Sequence, residues 1–394
     1  MRLWHTKASL ALAGFVSALA FLPAQAADLK FGFLFPLSGG GAAGTKAYQL
    51  GTEIAVKEVN DAGGIAGRKI TIVKADDQGD PTVAVGEAQR LVFRESVDVI
   101  IGTNNSQVQL AILPVENDGK IMAIGHAGST ALTRKNAPYY FALLANTRVS
   151  GKYLVRHVFE ELGAKRVAII HDDAAATKSA LEAMNEYLKE KNLSFVGEQQ
   201  YKFHPTDVTS QLLSLKSAAP DLLLMYAASQ DDVGIVQKGM KEIGWDVKEV
   251  GFTTASVAPQ LVLNAAGPDA YKNLTAMAFK AFTYCKSQGS GDPFVASFIK
   301  KIKDADPQQT SYFTAAMGYD AIHIYKAAIE ATGSTKGDVL AEWLQKNAQT
   351  LKLVSTPEPA IFEDTNFLMG EGSYAIVEKP YELSVDGFQA RAGC

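Results

Sequence analysis

The sequence predicts an α/β protein built from two doubly wound, parallel-sheet lobes. Three observations predict it. Strand-like and helix-like stretches alternate from Leu29 to Gly125, the same alternation restarts at Ser150 and runs to Phe252, and 394 residues, 47% hydrophobic and 20% charged, suffice for two cores of about 150 to 200 residues each. In sheets of this kind the ligand edge lies at the carboxyl ends of the strands.

The first β-α-β unit sets the pattern. A strand over residues 29–35, containing Phe31-Gly32-Phe33-Leu34-Phe35, stops at Pro36, and a helix over residues 45–60 follows because Leu50, Ile54, Ala55 and Val59 recur at helical spacing. Gly63 and Gly64 can take the positive φ that closes a helix, Gly67 permits a second turn, and the alternating residues 70–75 make the next strand. The lobe continues with helix 81–93, strand 97–101, helix 107–117 and strand 121–125. The second cycle reads helix 150–162, strand 167–170, helix 178–191, strand 194–201, helix 208–217, strand 222–225, helix 230–243 and strand 250–252. The last third adds strand 276–281, helices 293–304, 314–331 and 337–346, and a closing strand pair at 360–362 and 373–377.

Residues 1–26 read as an export leader: Arg2 and Lys7, an apolar run over 8–22, then Ala24-Gln25-Ala26 as a cleavage site after Ala26. The formal net charge is −4, spread along the chain rather than gathered in blocks, and nothing in it points to nucleic acid. No later stretch is long and apolar enough to span a membrane, and no cysteine follows Ala26 to carry a lipid. Cys285 and Cys394 are the two cysteines; in an exported chain they form one disulfide or remain two free thiols.

Several motifs invite a chemical reading. The run 39–44 satisfies G-x-G-x-x-G between a strand and a helix, but Asp76 lies 32 residues beyond Gly44, too far for the ribose-binding acid of a dinucleotide site, so no cofactor is expected. A glycine loop at a helix N-terminus facing an anionic group fits better. Asp76 and Asp77 are neighbours on a strand and point to opposite faces, which favours a structural role. His171-Asp172-Asp173, with His126, offers metal-ligand types without metal-ligand spacing, and no metal is expected. No G-x-S-x-G occurs, so hydrolase chemistry has no visible carrier. Thr103-Asn104-Asn105-Ser106-Gln107 joins a buried strand to a helix, where Asn105 or Ser106 either caps the helix or helps its first N–H groups take a carboxylate.

Pro36-Leu37-Ser38-Gly39, Asn60 to Lys69 and the run from Asp76 to Pro81 occur in one order within residues 33–85, and that stretch resembles the periplasmic solute-binding proteins of branched-chain amino-acid-type transporters. The likeness extends over nearly the whole mature chain and is looser after Tyr201. It implies the type I fold, with lobe I formed by 27–145 and 276–356, lobe II by 146–275 and 357–394, and a three-strand hinge crossing near Ala145, Thr275 and Thr356. It places ligand contacts at Leu37, Asn105, Ser106, His126, Gly128 and Ser129 in lobe I, and at Ala176, Ser229, Thr253 and Thr254 in lobe II. The disulfide that amino-acid-binding relatives often carry falls at Gly79 and Asn105 and is absent.

Where the resemblance leads one to expect aromatics, this chain has Ala176 and Ala228-Ser229, and where it leads one to expect the acid that neutralises an ammonium, Thr253-Thr254. An ammonium without a carboxylate in a closed cleft is costly, so the expected ligand is an aromatic or other organic carboxylate rather than an ordinary α-amino acid. Arg148 faces either the cleft or the surface. The implied function is a monomeric, non-enzymatic periplasmic receptor that closes on a small ligand and delivers it to an ABC permease. The alternatives are a sensor that presents ligand to a membrane receptor, branched-chain amino-acid binding proper, and an exported enzyme.

Overall fold

Parallel strands covered by helices on both sides must bury both faces, and the inner strands of this chain do so: β1 (Leu29–Phe35) exposes only Lys30, and β3 (Val99–Gly102) is buried throughout. The computed structural model describes Met1 and residues 27–39, 41–356 and 366–394. The body of the expected leader, residues 2–26, and the strand expected at 360–362 lie outside the described residues.

The first sheet is entered through β1, α1 (Ala42–Asp61), β2 (Ile70–Asp76), α2 (Pro81–Gln89), β3, α3 (Ser106–Gly119), β4 (Ala123–Gly125) and β5 (Tyr140–Ala142). The second follows through α4 (Thr147–Arg156), β6 (Val167–Asp172), α5 (Ala175–Lys191), β7 (Gly197–Tyr201), α6 (Thr209–Ser217), β8 (Leu222–Tyr226), α7 (Gln230–Glu242), β9 (Lys248–Gly251), α8 (Thr254–Val257), α9 (Pro259–Ala266) and β10 (Leu274–Phe279). The remainder is β11 (Thr283–Tyr284), α10 (Pro293–Ala305), α11 (Tyr312–Thr332), α12 (Gly337–Asn347), β12 (Tyr374–Val377) and β13 (Gln389–Ala390). The sheet orders are β2-β1-β3-β4-β5 and β7-β6-β8-β9-β10-β12. The same doubly wound order is thus laid down twice, and in each sheet the order reverses beside the first strand. All pairings in both sheets are parallel except β10 with β12.

Three expectations are corrected here. The strand expected at 276–281 was assigned with the first lobe, but β10 pairs with β9 and β12 in the second sheet, so the second crossing follows Phe279 rather than Thr275. Apolar alternation marks a strand without saying which sheet will pair it. β5 was not expected at all; it is three residues long and held between β4 and Phe367. Residues 366–369 run beside it, with Asn366 O accepting from the Ala142 N–H at 2.8 Å and Ala142 O accepting from the Leu368 N–H at 2.9 Å. The third crossing therefore follows Met369 rather than Thr356, a further correction, and it lies beside the first.

Helix α11 returns to the first sheet and crosses α1 at a contact only glycine permits. A Cβ on Gly51 would stand 1.9 Å from Ala315 O, and one on Gly318 would stand 2.3 Å from Tyr48 O. Tyr325 of the same helix donates its hydroxyl to Ile100 O at 2.6 Å, anchoring α11 to β3.

The structure brings Cys285 and Cys394 to disulfide distance, in line with the paired alternative. Such a bond fixes the C-terminal segment where β13 pairs with β11, beside Arg391, whose Nε donates to Thr283 Oγ1 at 2.6 Å. Replacing both cysteines by serine opens a loop of 109 residues. The expected loss is about 4 to 5 kcal/mol, measured as a fall in Tm and in the denaturant midpoint; an unchanged Tm would mean that the hydrogen bonds alone hold this segment.

Candidate functional site

Both sheets turn their carboxyl ends toward one cleft. Its walls are Pro36, Gly41, Gly44 and Tyr48, then Asn104 to Gln107, then His126 and Gly128 from the first sheet's side. Facing them are Ala174 to Ala176, Phe203 and His204, Tyr226, Ala228 to Gln230, Phe252 to Thr254, Phe279 and Tyr374. The cleft holds about 1190 Å³ of atom-free space, the solvent at its mouth included.

Of the helices that begin at this cleft, α1, α3, α5 and α7 differ in their caps. In α3, Asn105 is the N-cap: its side-chain oxygen accepts from the N–H groups of Gln107 at 2.8 Å and Val108 at 3.2 Å. Ser106 is then free of capping. Its Oγ accepts from the backbone N–H groups of Gly128 and Ser129, both at 3.1 Å, so its hydroxyl proton is left to donate. In α7, Ser229 caps by accepting from Asp231 N–H. Helices α1 and α5 have Gly41 and Ala174 at the cap position and no side-chain cap, so their first N–H groups remain for solvent or a ligand. The positive ends of four helix dipoles meet here.

Charged side chains do not. The carboxylate of Asp76 is turned to its own backbone, accepting from Leu37 N–H at 2.8 Å, Ser38 Oγ–H at 2.6 Å and Gln78 N–H at 3.0 Å. Its burial opposes ionisation, but these hydrogen bonds outweigh it and hold the carboxyl below the usual range. Asp172 accepts from Ala174 N–H at 2.8 Å, Thr177 Oγ1–H at 2.5 Å and Ala228 N–H at 2.5 Å, tying the loop after β6 to the loop after β8. His171 donates from Nδ1 to Asp172 O, and Asp173 accepts from Phe203 N–H. Among the described residues that line the cleft there is no Asp, Glu, Lys or Arg.

Aromatic rings fill that place. Tyr226 and Phe252 stack at 4.3 Å, and Phe279 lies 5.6 Å from Tyr374. The Tyr48 hydroxyl is hydrogen-bonded to His126 Nδ1. Burial pushes the His126 imidazolium down to about 3, so the ring is neutral and pairs with the Tyr48 hydroxyl through Nδ1.

Most of the expected contact residues meet at the cleft: Asn105, Ser106, His126, Gly128, Ala176, Ser229, Thr253 and Thr254. Two do not. Leu37 turns its N–H to Asp76, and Ser129 is buried with its Oγ 3.2 Å from Ser179 Oγ on α5, where it joins the two lobes. Arg148 pairs with Glu186 on α5, away from the cleft. Tyr48, Phe203, His204, Tyr226, Phe252, Phe279 and Tyr374 were not expected. Phe203, His204, Tyr226, Phe252 and Phe279 stand at or just after the carboxyl ends of β7, β8, β9 and β10, so the rule that ligands bind at that edge would have found them. Tyr48 and Tyr374 reach the cleft from inside a helix and from the start of an antiparallel strand, and no local signal marks them.

A family model described as periplasmic binding protein matches residues 28–377. A Leu/Ile/Val-binding protein homolog 7 from Brucella melitensis is 30% identical over 335 residues, covering 81% of this chain and 80% of the relative. The branched-chain amino acid transporter substrate-binding protein of Streptococcus pneumoniae, solved with isoleucine, superposes with a TM-score of 0.75 at 21% identity over 88% of this chain and 97% of that one. A solute-binding protein of an ABC transporter from Rhodopseudomonas palustris, solved with 3,4-dihydroxybenzoic acid, superposes with a TM-score of 0.76 at 23% identity, over 92% of this chain and 95% of that one.

The depressed pKa of His126 has a consequence for stability. The unfolded chain takes up a proton here below about 6.5, whereas the folded ring stays neutral down to about 3. Stability present above pH 6.5 is therefore lost as the pH falls, and His126→Gln is expected to flatten this acid limb in denaturation curves taken across that range. An unaltered acid limb would place the loss on other groups.

Proposed function

The chain belongs to the periplasmic binding protein family, a family of solute-binding and not catalytic proteins that work with ABC transporter permeases, and from that premise we propose that it captures an aromatic or related organic carboxylate for delivery to such a permease. One observation carries the ligand class: the N-termini of α1, α3, α5 and α7 converge on a cleft whose described lining has no Asp, Glu, Lys or Arg. Oriented N–H groups and the Ser106 hydroxyl favour an anionic group. No carboxylate stands ready for an ammonium, and a zwitterion would bury that charge unpaired. The rings of Tyr48, Tyr226, Phe252 and Phe279 favour a flat apolar body.

The relatives' printed names point two ways. Leucine, isoleucine and valine appear in the name of the Brucella protein, and 3,4-dihydroxybenzoic acid in the description of the Rhodopseudomonas one. The absence of lining acids favours the second direction for this chain. Binding works by closure: a ligand that touches both lobes stabilises the closed arrangement by its differential affinity for it.

The test is a thermal-shift panel on the mature protein, freed of ligand by unfolding and refolding. Leucine, valine, polar amino acids, benzoate, 3,4-dihydroxybenzoate and aliphatic acids are compared, since any ligand of the native state raises Tm by mass action. Aromatic acids are expected to give the largest shift, and Ser106→Ala to reduce that shift, each measured against the variant's own ligand-free Tm. If leucine or valine gives the largest shift, the chain is a branched-chain amino-acid receptor and the carboxylate reading falls.

A further inference from the structure

We propose that His204, poised by Asp232, is the cationic donor to the ligand's carboxylate from the second lobe, which makes capture weaken as the pH rises. The inference rests on the carboxylate reading above and adds the residue and the regulation. His204 follows β7 and lines the cleft in left-handed backbone conformation, with φ 57°. Asp232 holds it at two points: Oδ1 lies 3.2 Å from His204 Nδ1, and Oδ2 accepts the His204 backbone N–H at 3.3 Å. The two partners differ in exposure, His204 being 39% exposed at the side chain and Asp232 1%. A buried carboxylate beside an accessible imidazole orients the ring, takes Nδ1, and leaves Nε2 as the nitrogen available to a ligand.

The charged surroundings favour the protonated ring. Asp231 and Asp232 face it from α7 and Asp172 from β6, and all three act to raise its pKa, the hydrogen bond to Asp232 most of all. Tyr201, at the end of β7, is buried beside the same acids with its own ionisation suppressed by burial. As imidazolium, His204 gives one N–H to Asp232 and one to the ligand. When the ring loses its proton, Asp232 keeps the remaining N–H on Nδ1 and Nε2 becomes an acceptor. A carboxylate then meets a lone pair instead of a donor. The other ring at the cleft, His126, is neutral throughout this range and does not compensate.

Calorimetric titration of the mature protein with benzoate and 3,4-dihydroxybenzoate, with benzamide as the uncharged control, tests this between about pH 5.5 and about pH 8.5. Wild-type affinity for the acids is expected to fall about ten- to hundredfold as pH rises past the ordinary imidazole range, while that for benzamide stays level. His204→Gln is expected to bind the acids weakly at low pH and to lose the pH dependence. Ser106→Ala is expected to weaken binding at every pH and to keep it. Asp232→Asn supplies a second reading: the His204 ring resonance should titrate at a lower pH than in the wild type, and the affinity curve should move with it. If the acids bind and His204→Gln retains the wild-type pH dependence, or the His204 resonance does not move in Asp232→Asn, the assignment to His204 is overturned and the carboxylate reading stands. If neither acid binds the wild type at any pH while an amino acid does, the carboxylate reading falls and this inference with it.

Discussion

Loops that leave the carboxyl ends of parallel strands carry backbone N–H groups that no strand or helix satisfies, and this constraint organises the molecule. Two aspartates meet part of it. Asp76 closes the loop after β1 onto the end of β2, and Asp172 closes the loop after β6 onto the loop after β8. Because both carboxylates face their own backbone, neither is presented to the cleft. What remains there is the complementary set of unsatisfied donors, the first turns of α1 and α5, together with the hydroxyl of Ser106. An anion site without a cationic side chain on the first lobe follows directly from how the loops are held.

The two lobes contribute different things. The first offers fixed donors: Ser106 is immobilised by two backbone N–H groups, and His126 by Tyr48, which in turn stacks on Phe35 at 4.9 Å. The second brings stacked rings and His204 from loops that ride on it. Ser129 and Thr130 meet Ser179 of α5 across the gap, with Thr130 Oγ1 3.0 Å from Ser179 Oγ. These small polar contacts bring the lobes together beside an apolar one, the stacking of Phe279 on Phe313 of α11 at 3.4 Å.

Much of this was legible in the sequence, for reasons that differ by residue. The doubled β-α alternation was plain because each strand is a short apolar run bounded by turn residues, and Ser106 and Asn105 stood out because a helix start after a buried strand has few other uses for such side chains. Gly128 and Ser129 were placed in the right loop, but whether Ser129 faces the cleft or α5 depends on a packing partner 50 residues away. The assignment of β10 failed for a similar reason: its pattern is that of a buried strand, and only pairing with β9 and β12 decides the sheet. Arg148 was ambiguous until Glu186 appeared beside it. Local chemistry identifies edges, caps and turns; it does not say which distant surface arrives to meet them.

The close approach of α1 and α11 at Gly51 and Gly318 bears on the order in which the chain takes shape. Helix α1 ends at Asp61 and α11 begins at Tyr312, so the first lobe's largest helix pair joins segments from opposite ends of the mature chain. The second lobe has β6 to β10 and α4 to α9 in one unbroken stretch, and lacks only the edge strand β12. Loop closure over such a distance delays the non-local pairing relative to the local one. The middle of the chain therefore organises first, and the first lobe, with the ligand's fixed donors, is completed by the segment that is synthesised late.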